Sequence, residues 1–149
     1  MNDTQNSANL KSKLGSLYAY MSRRLHIKNT PKLKLTNDFE NSKKSFGVTG
    51  YYEPASQLVN IFITERHPTD ILRSFAHEIV HHWQNERGQL KSVSSSQYTQ
   101  KDLHMRKKEM EAYLLGNILF RDWQDEQRYG SPKKAPMLVS LNENYERRI

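Results

Sequence analysis

The stretch RHPTDILRSFAHEIVHHWQNERG, residues 66 to 88, limits what this chain can fold into more than any other. Pro68 suits the first turn of a helix, where its missing N–H is no loss, and Thr69 and Asp70 continue that turn. Gly88 stands where a helix of this length needs a residue that tolerates a capping conformation. Between them Leu72, Phe75, Ala76, Ile79, Val80 and Trp83 recur at helical period, so the segment is predicted to be a helix buried along a broad apolar arc. The same helix carries His77, Glu78, His81 and His82 within six positions, in a chain with 6 histidines in all.

On a helix, residues four apart lie about 40° from one another and one turn along, so His77 and His81 project from one face and can converge on one ion. Glu78 lies about 100° round from His77, near enough to reach a water beside the histidines and too far round to join them naturally as a ligand. The pattern is H-E-x-x-H, in which two imidazoles hold zinc and the glutamate serves as general base. Polar residues placed without function would give this pattern on the order of 1% of the time in a chain of this length. His82 lies about 100° from His81 and could share the ion only by breaking the helix, so it is read as a bystander.

With no cysteine, any metal must be held by His, Asp or Glu, and disulfides and thiolate chemistry are excluded. The 149 residues suit a single domain with one modest core. The start, MNDTQNSANLKSK, lacks the order of a secretory signal, and no apolar run approaches the roughly 20 residues of a membrane span. The expected address is cytoplasmic, with no membrane partner. Of the net charge of +7, residues 1–50 carry nine Lys or Arg against three Asp or Glu, a surplus of six. A basic half attracts nucleic acid or an acidic partner, or simply keeps a small protein in solution.

The remaining periodicities predict an α+β fold. Leu10, Leu14, Leu17, Met21 and Leu25 form one stripe of a helix over residues 8–26. After Pro31, KLKLTND alternates like a half-buried strand, and residues 37–45 read as a loop. FGVTGYYEPASQLVNIFITE reads as a β-hairpin turning at Glu53–Ser56, with Val59, Ile61 and Ile63 alternating along its second strand. A polar loop of about a dozen residues, KSVSSSQYTQKD, leads to a second long helix from Leu103 to Gln127. Residues 1–7 and about 130–149 lack a sustained period and are expected to pack loosely.

A catalytic zinc usually keeps three protein ligands and one place for water. The metzincin extension would require Gly at 84 and His at 87, where this chain has Gln84 and Arg87. That leaves His104, Glu109 and Glu111 on the second long helix. Met105, Ala112, Leu115, Gly116 and Leu119 define its inward arc, and Glu109 falls beside them while Glu111 points away. A carboxylate on an apolar arc is costly unless it meets a cation, so Glu109 is the first choice, with Glu111 and His104 as alternatives.

His77-Glu78-Ile79-Val80-His81, followed some thirty residues later by Glu109-Met110-Glu111-Ala112-Tyr113, resembles the gluzincin metallopeptidases, a clan that includes thermolysin, the CAAX-type peptidases and the ImmA/IrrE-type peptidases. There the second helix tends to read E-x-x-A-D or E-x-x-A-N, and the alignment gives Glu109 the ligand place. Tyr113 stands where the family often has Asp or Asn to orient a ligating histidine, so that support must come from elsewhere. Residues 48–125 are also similar to small bacteriophage-encoded metalloprotease-like proteins, which implies a phage-infected host as the setting. SprT-like peptidases share H-E-x-x-H but use a third histidine, a part His104 could imitate although its flanking residues do not match. The resemblance implies a minimal zincin-like domain over residues 1–149, a Zn2+ cofactor and a protein or peptide substrate.

In such a hydrolase Glu78 deprotonates water, and Tyr98, His104, Tyr113 and Arg121 are candidates to stabilise the oxyanion. The hairpin would supply an edge strand for an extended peptide. His67 reads as a turn or capping residue. Tyr51 and Tyr52 could stack on single-stranded nucleic acid, although adjacent strand tyrosines more often divide between core and surface. The rival reading is a non-catalytic module on the same scaffold, docking on nucleic acid or an assembly partner through the basic half. Glu78 argues against it, because a structural metal site needs no base.

Overall fold

The computed structural model describes residues 3–44, 49–90 and 98–130. In chain order they form α1 (Asp3–Leu25), β1 (Lys32–Thr36), α2 (Phe39–Ser42), β2 (Gly50–Glu53), β3 (Leu58–Phe62), α3 (Pro68–Glu86) and α4 (Tyr98–Tyr129). The fold is α+β, with helices packed on a three-stranded mixed sheet of order β1-β3-β2. Among the described residues no helix is long and apolar enough to cross a membrane.

The hairpin lies where its alternation placed it, β2 antiparallel to β3 with Tyr52 opposite Val59. β1 runs parallel to β3, with Leu33 opposite Val59 and Leu35 opposite Ile61. β3 is therefore the central strand, which is why Val59 and Ile61 are fully buried. The strand-adjacent tyrosines divide as expected: Tyr51 is exposed and Tyr52 is half-buried.

α3 is the hub of the molecule, packed on α1, on α4 and on both strands of the hairpin. His67 caps its start, its Nδ1 accepting from the backbone N–H of Thr69, and Gly88 with φ of 71° follows its C-cap Arg87. Ile71, Leu72, Phe75, Ala76, Ile79 and Val80 enter the core, joined by Leu14, Leu17, Tyr20 and Met21 of α1 and by Ala112, Leu119, Phe120 and Trp123 of α4. α1 is tied to α4 by Trp123 Nε1 donating to Ser16 Oγ at 3.1 Å.

Four expectations need correction. Residues 37–45 are not wholly a loop, because the Asp38 carboxylate accepts from the Asn41 N–H and nucleates the short α2. α1 begins at Asp3 rather than at residue 8. α4 begins at Tyr98, so the serine-rich loop is shorter than its composition suggested; residues 91–97 lie outside the described part, as does the tail after Gly130. Met105 is exposed rather than buried with the rest of its arc, and it lines the open cleft beside Glu109. Gly116 sets the approach of α4 to α3: a Cβ there would stand 3.3 Å from the backbone N and Cα of His77.

Candidate metal centre

α3 presents His77, Glu78 and His81 so that their ligand atoms all lie within 4.8 Å of one another. The imidazole rings meet edge to face, 4.8 Å between centroids. Across from them α4 supplies Glu109, whose Oε2 lies 3.1 Å from His77 Nε2 and whose Oε1 lies 2.7 Å from His81 Nε2. Both histidines thus turn the same nitrogen toward one carboxylate. Glu109 thus faces α3, the side its helical phase gave it.

The electrostatics follow from burial. Desolvation, and then the neighbouring His81, hold the His77 imidazole below its ordinary pKa, which leaves it neutral as a ligand must be. Glu78 is 6% exposed. Burial, with the Glu109 carboxylate adding to it, pushes Glu78 up to about 8, and a cation beside it would act in the opposite direction.

Two imidazoles and a carboxylate are a donor set that suits zinc. Tetrahedral bonds of 2.0–2.1 Å leave ligand atoms about 3.3 Å apart. The observed separations of 2.7 and 3.1 Å are a few tenths shorter, so a half-exposed Glu109 need retreat only slightly. The residues fit the ion.

The remaining candidates separate cleanly. His104 Nε2 is 2.8 Å from the carbonyl of Gln89, away from the cluster. Glu111 does not point away from α3 as its phase suggested; it accepts from Gln84 Nε2 at 2.8 Å, one layer behind His81. Gln84 is fully buried, and its Oε1 lies 2.8 Å from His81 Nδ1. Neither contact was foreseen, although Gln84 three residues after His81 shares its side of the helix. His77 Nδ1 is buried with no hydrogen-bond partner among the described residues, and the Tyr113 ring lies against the His77 imidazole at 4.3 Å.

His82 is no ligand. It is fully buried, its Nδ1 2.7 Å from the Tyr52 hydroxyl and its Nε2 2.6 Å from the carbonyl of Asn29. Asn85 in turn donates to Tyr52 Oη, and Glu86 accepts from the backbone N–H groups of Lys28 and Asn29. His82→Ala is expected to cost about 2–4 kcal/mol, because it opens a cavity at a fully buried position and removes the bonds to Tyr52 and Asn29. Urea unfolding beside zinc analysis checks this: stability should fall while the folded protein keeps its metal content.

The cluster opens into a cleft of about 1080 Å³. Thr49, Gly50, Tyr51, Tyr52 and Pro54 form one wall along β2, an edge strand among the described residues, and Met105, Glu109, Tyr113 and Asn117 of α4 form the other. Arg66, Asp70, Arg73 and Ser74 line the end toward the start of α3. Arg66 is held there by the carbonyls of Thr49, Phe62 and Asp70 and by Ser74 Oγ. Of the proposed oxyanion donors Tyr113 lines the cleft, whereas His104 and Arg121 do not, and the Tyr98 side chain lies outside the described residues. No family model matches the chain, and no curated protein or solved structure matches it either.

Proposed function

We propose that this chain is a zinc-dependent peptide-bond hydrolase in which His77, His81 and Glu109 hold the ion and Glu78 is the general base. The observation that carries the reading is the convergence of both Nε2 atoms on the Glu109 carboxylate, with the buried Glu78 beside them at the floor of an open cleft.

Zinc in this place supplies Lewis acidity, which acidifies water and polarises a carbonyl. Glu78 takes the proton of the attacking water and returns it to the departing amine, and its buried position keeps competing water from it. Glu109 balances the ion's charge from α4. The free edge of β2 offers backbone N–H and C=O groups to an extended peptide running past the cluster. Tyr113, the wall residue in contact with His77, supplies a hydroxyl for the oxyanion.

Elemental analysis of the purified chain tests this directly, followed by cleavage of an unfolded generic protein before and after chelation. About one zinc per chain is expected, with cleavage abolished by chelator and restored by zinc. A folded chain that takes up no zinc under replete conditions would overturn the reading.

A further inference from the structure

The two histidines at the cluster are held by different means. His77 is fixed by packing, between the Tyr113 ring and the edge of His81, with its Nδ1 unpartnered among the described residues. His81 is fixed by hydrogen bonds, through Gln84 to α4.

The direction of that chain follows from donor and acceptor chemistry. Gln84 Nε2 lies 3.0 Å from the backbone carbonyl of Lys108, and a carbonyl only accepts. The amide nitrogen must therefore face α4, where it also donates to Glu111 Oε1 at 2.8 Å. Gln84 Oε1 is left facing His81 Nδ1 at 2.8 Å, and since that oxygen only accepts, Nδ1 must carry the hydrogen. His81 Nε2 then faces Glu109 Oε1 across 2.7 Å. That contact calls for a proton or a cation between Nε2 and the carboxylate oxygen, and a bound metal ion supplies one.

We propose that Glu111 and Gln84 are positioning residues that lock His81 in its Nδ1–H form and so aim its Nε2 lone pair at the metal. The assignment rests on the zinc reading above and extends it to side chains that touch no ion. The relay occupies the role that an orienting Asp or Asn would fill, but it serves the second histidine and comes from a buried amide. Full burial of Gln84 keeps water from competing for its bonds. Glu111 is itself steadied by Lys108, whose Nζ lies 3.9 Å from Oε1.

The test uses the full chain with zinc, measuring affinity by competition with a chromophoric chelator and the His81 ring protons by nitrogen-15 NMR. Gln84→Leu, which keeps the volume and removes all three bonds of the amide, is expected to weaken zinc binding about 10–100-fold, the usual cost of losing an outer partner. The His81 Nδ1–H, slow to exchange in the wild type, should then exchange rapidly. Should Gln84→Leu fail to fold, the exposed end of the relay decides the matter: Glu111→Ala weakens binding on the order of tenfold and Glu111→Gln, which keeps an acceptor for the amide, restores it. Unchanged affinity in Gln84→Leu, equal affinities in the two Glu111 variants, or zinc bound through His81 Nδ1 would each overturn the relay while leaving the metal site standing. A wild type that binds no zinc would remove both.

Discussion

Glu78→Gln should bind zinc as the wild type does and lose cleavage by a factor on the order of 10²–10⁴, the range that a general base contributes. The substitution is nearly isosteric and removes a carboxylate that burial and the nearby Glu109 already disfavour in its charged form. The fold has no reason to suffer. The amide keeps the shape of the site but cannot accept a proton from water. Zinc content and turnover on the same preparation check the result. Glu78 also lies within the same 4.8 Å cluster as the two histidines, so geometry alone would allow it as a ligand. Loss of zinc in Glu78→Gln would establish that role and demote it as a base, whereas retention with dead chemistry separates the two.

Glu109→Ala is expected to weaken zinc binding by more than about 100-fold, beyond what the loss of an outer partner costs. Its two oxygens lie 2.7 Å and 3.1 Å from the histidine Nε2 atoms, and no other carboxylate of α4 has that reach. Glu111, two residues on, is committed to Gln84. The same substitution should leave the folded structure nearly intact, because the Glu109 side chain is 48% exposed. Chelator competition on Glu109→Ala beside Glu111→Ala gives the comparison. Stronger loss in Glu111→Ala would exchange their roles and place the ion one layer deeper between the helices.

Much of this site was legible because it lies on helices, where phase carries direction. The apolar arc of α3 located His77 and His81, and the arc of α4 selected Glu109 before any packing was visible. Phase set His82 apart from the pair on the same grounds but could not show that it is a core residue bonded to Tyr52 and Asn29. What periodicity missed depends on tertiary approach. Glu111 looked outward on an isolated helix, yet a side chain of its length reaches sideways to Gln84 once α3 lies alongside. Met105 obeys the phase of the arc but lines the open cleft and is exposed. The parallel pairing of β1 with β3 joins segments over twenty residues apart, and local alternation says nothing of such partners.

Gly116 touches no ligand atom, yet the spacing of the whole centre depends on it. It lies seven residues from Glu109, two turns or about 10 Å along α4, and on the same side of that helix. A Cβ on it would stand 3.3 Å from the N and Cα of His77, so α3 would have to give by a few tenths of an ångström. A wedge inserted there would work at the fulcrum of a rigid rod whose far arm carries the carboxylate. Helical content would be unchanged, and the core around Phe120 and Trp123 could remain closed. The gap would open at the working end, where a few tenths of an ångström separate a bond from a near miss. The least chemical position of α4 is thus the one that calibrates the reach of the centre.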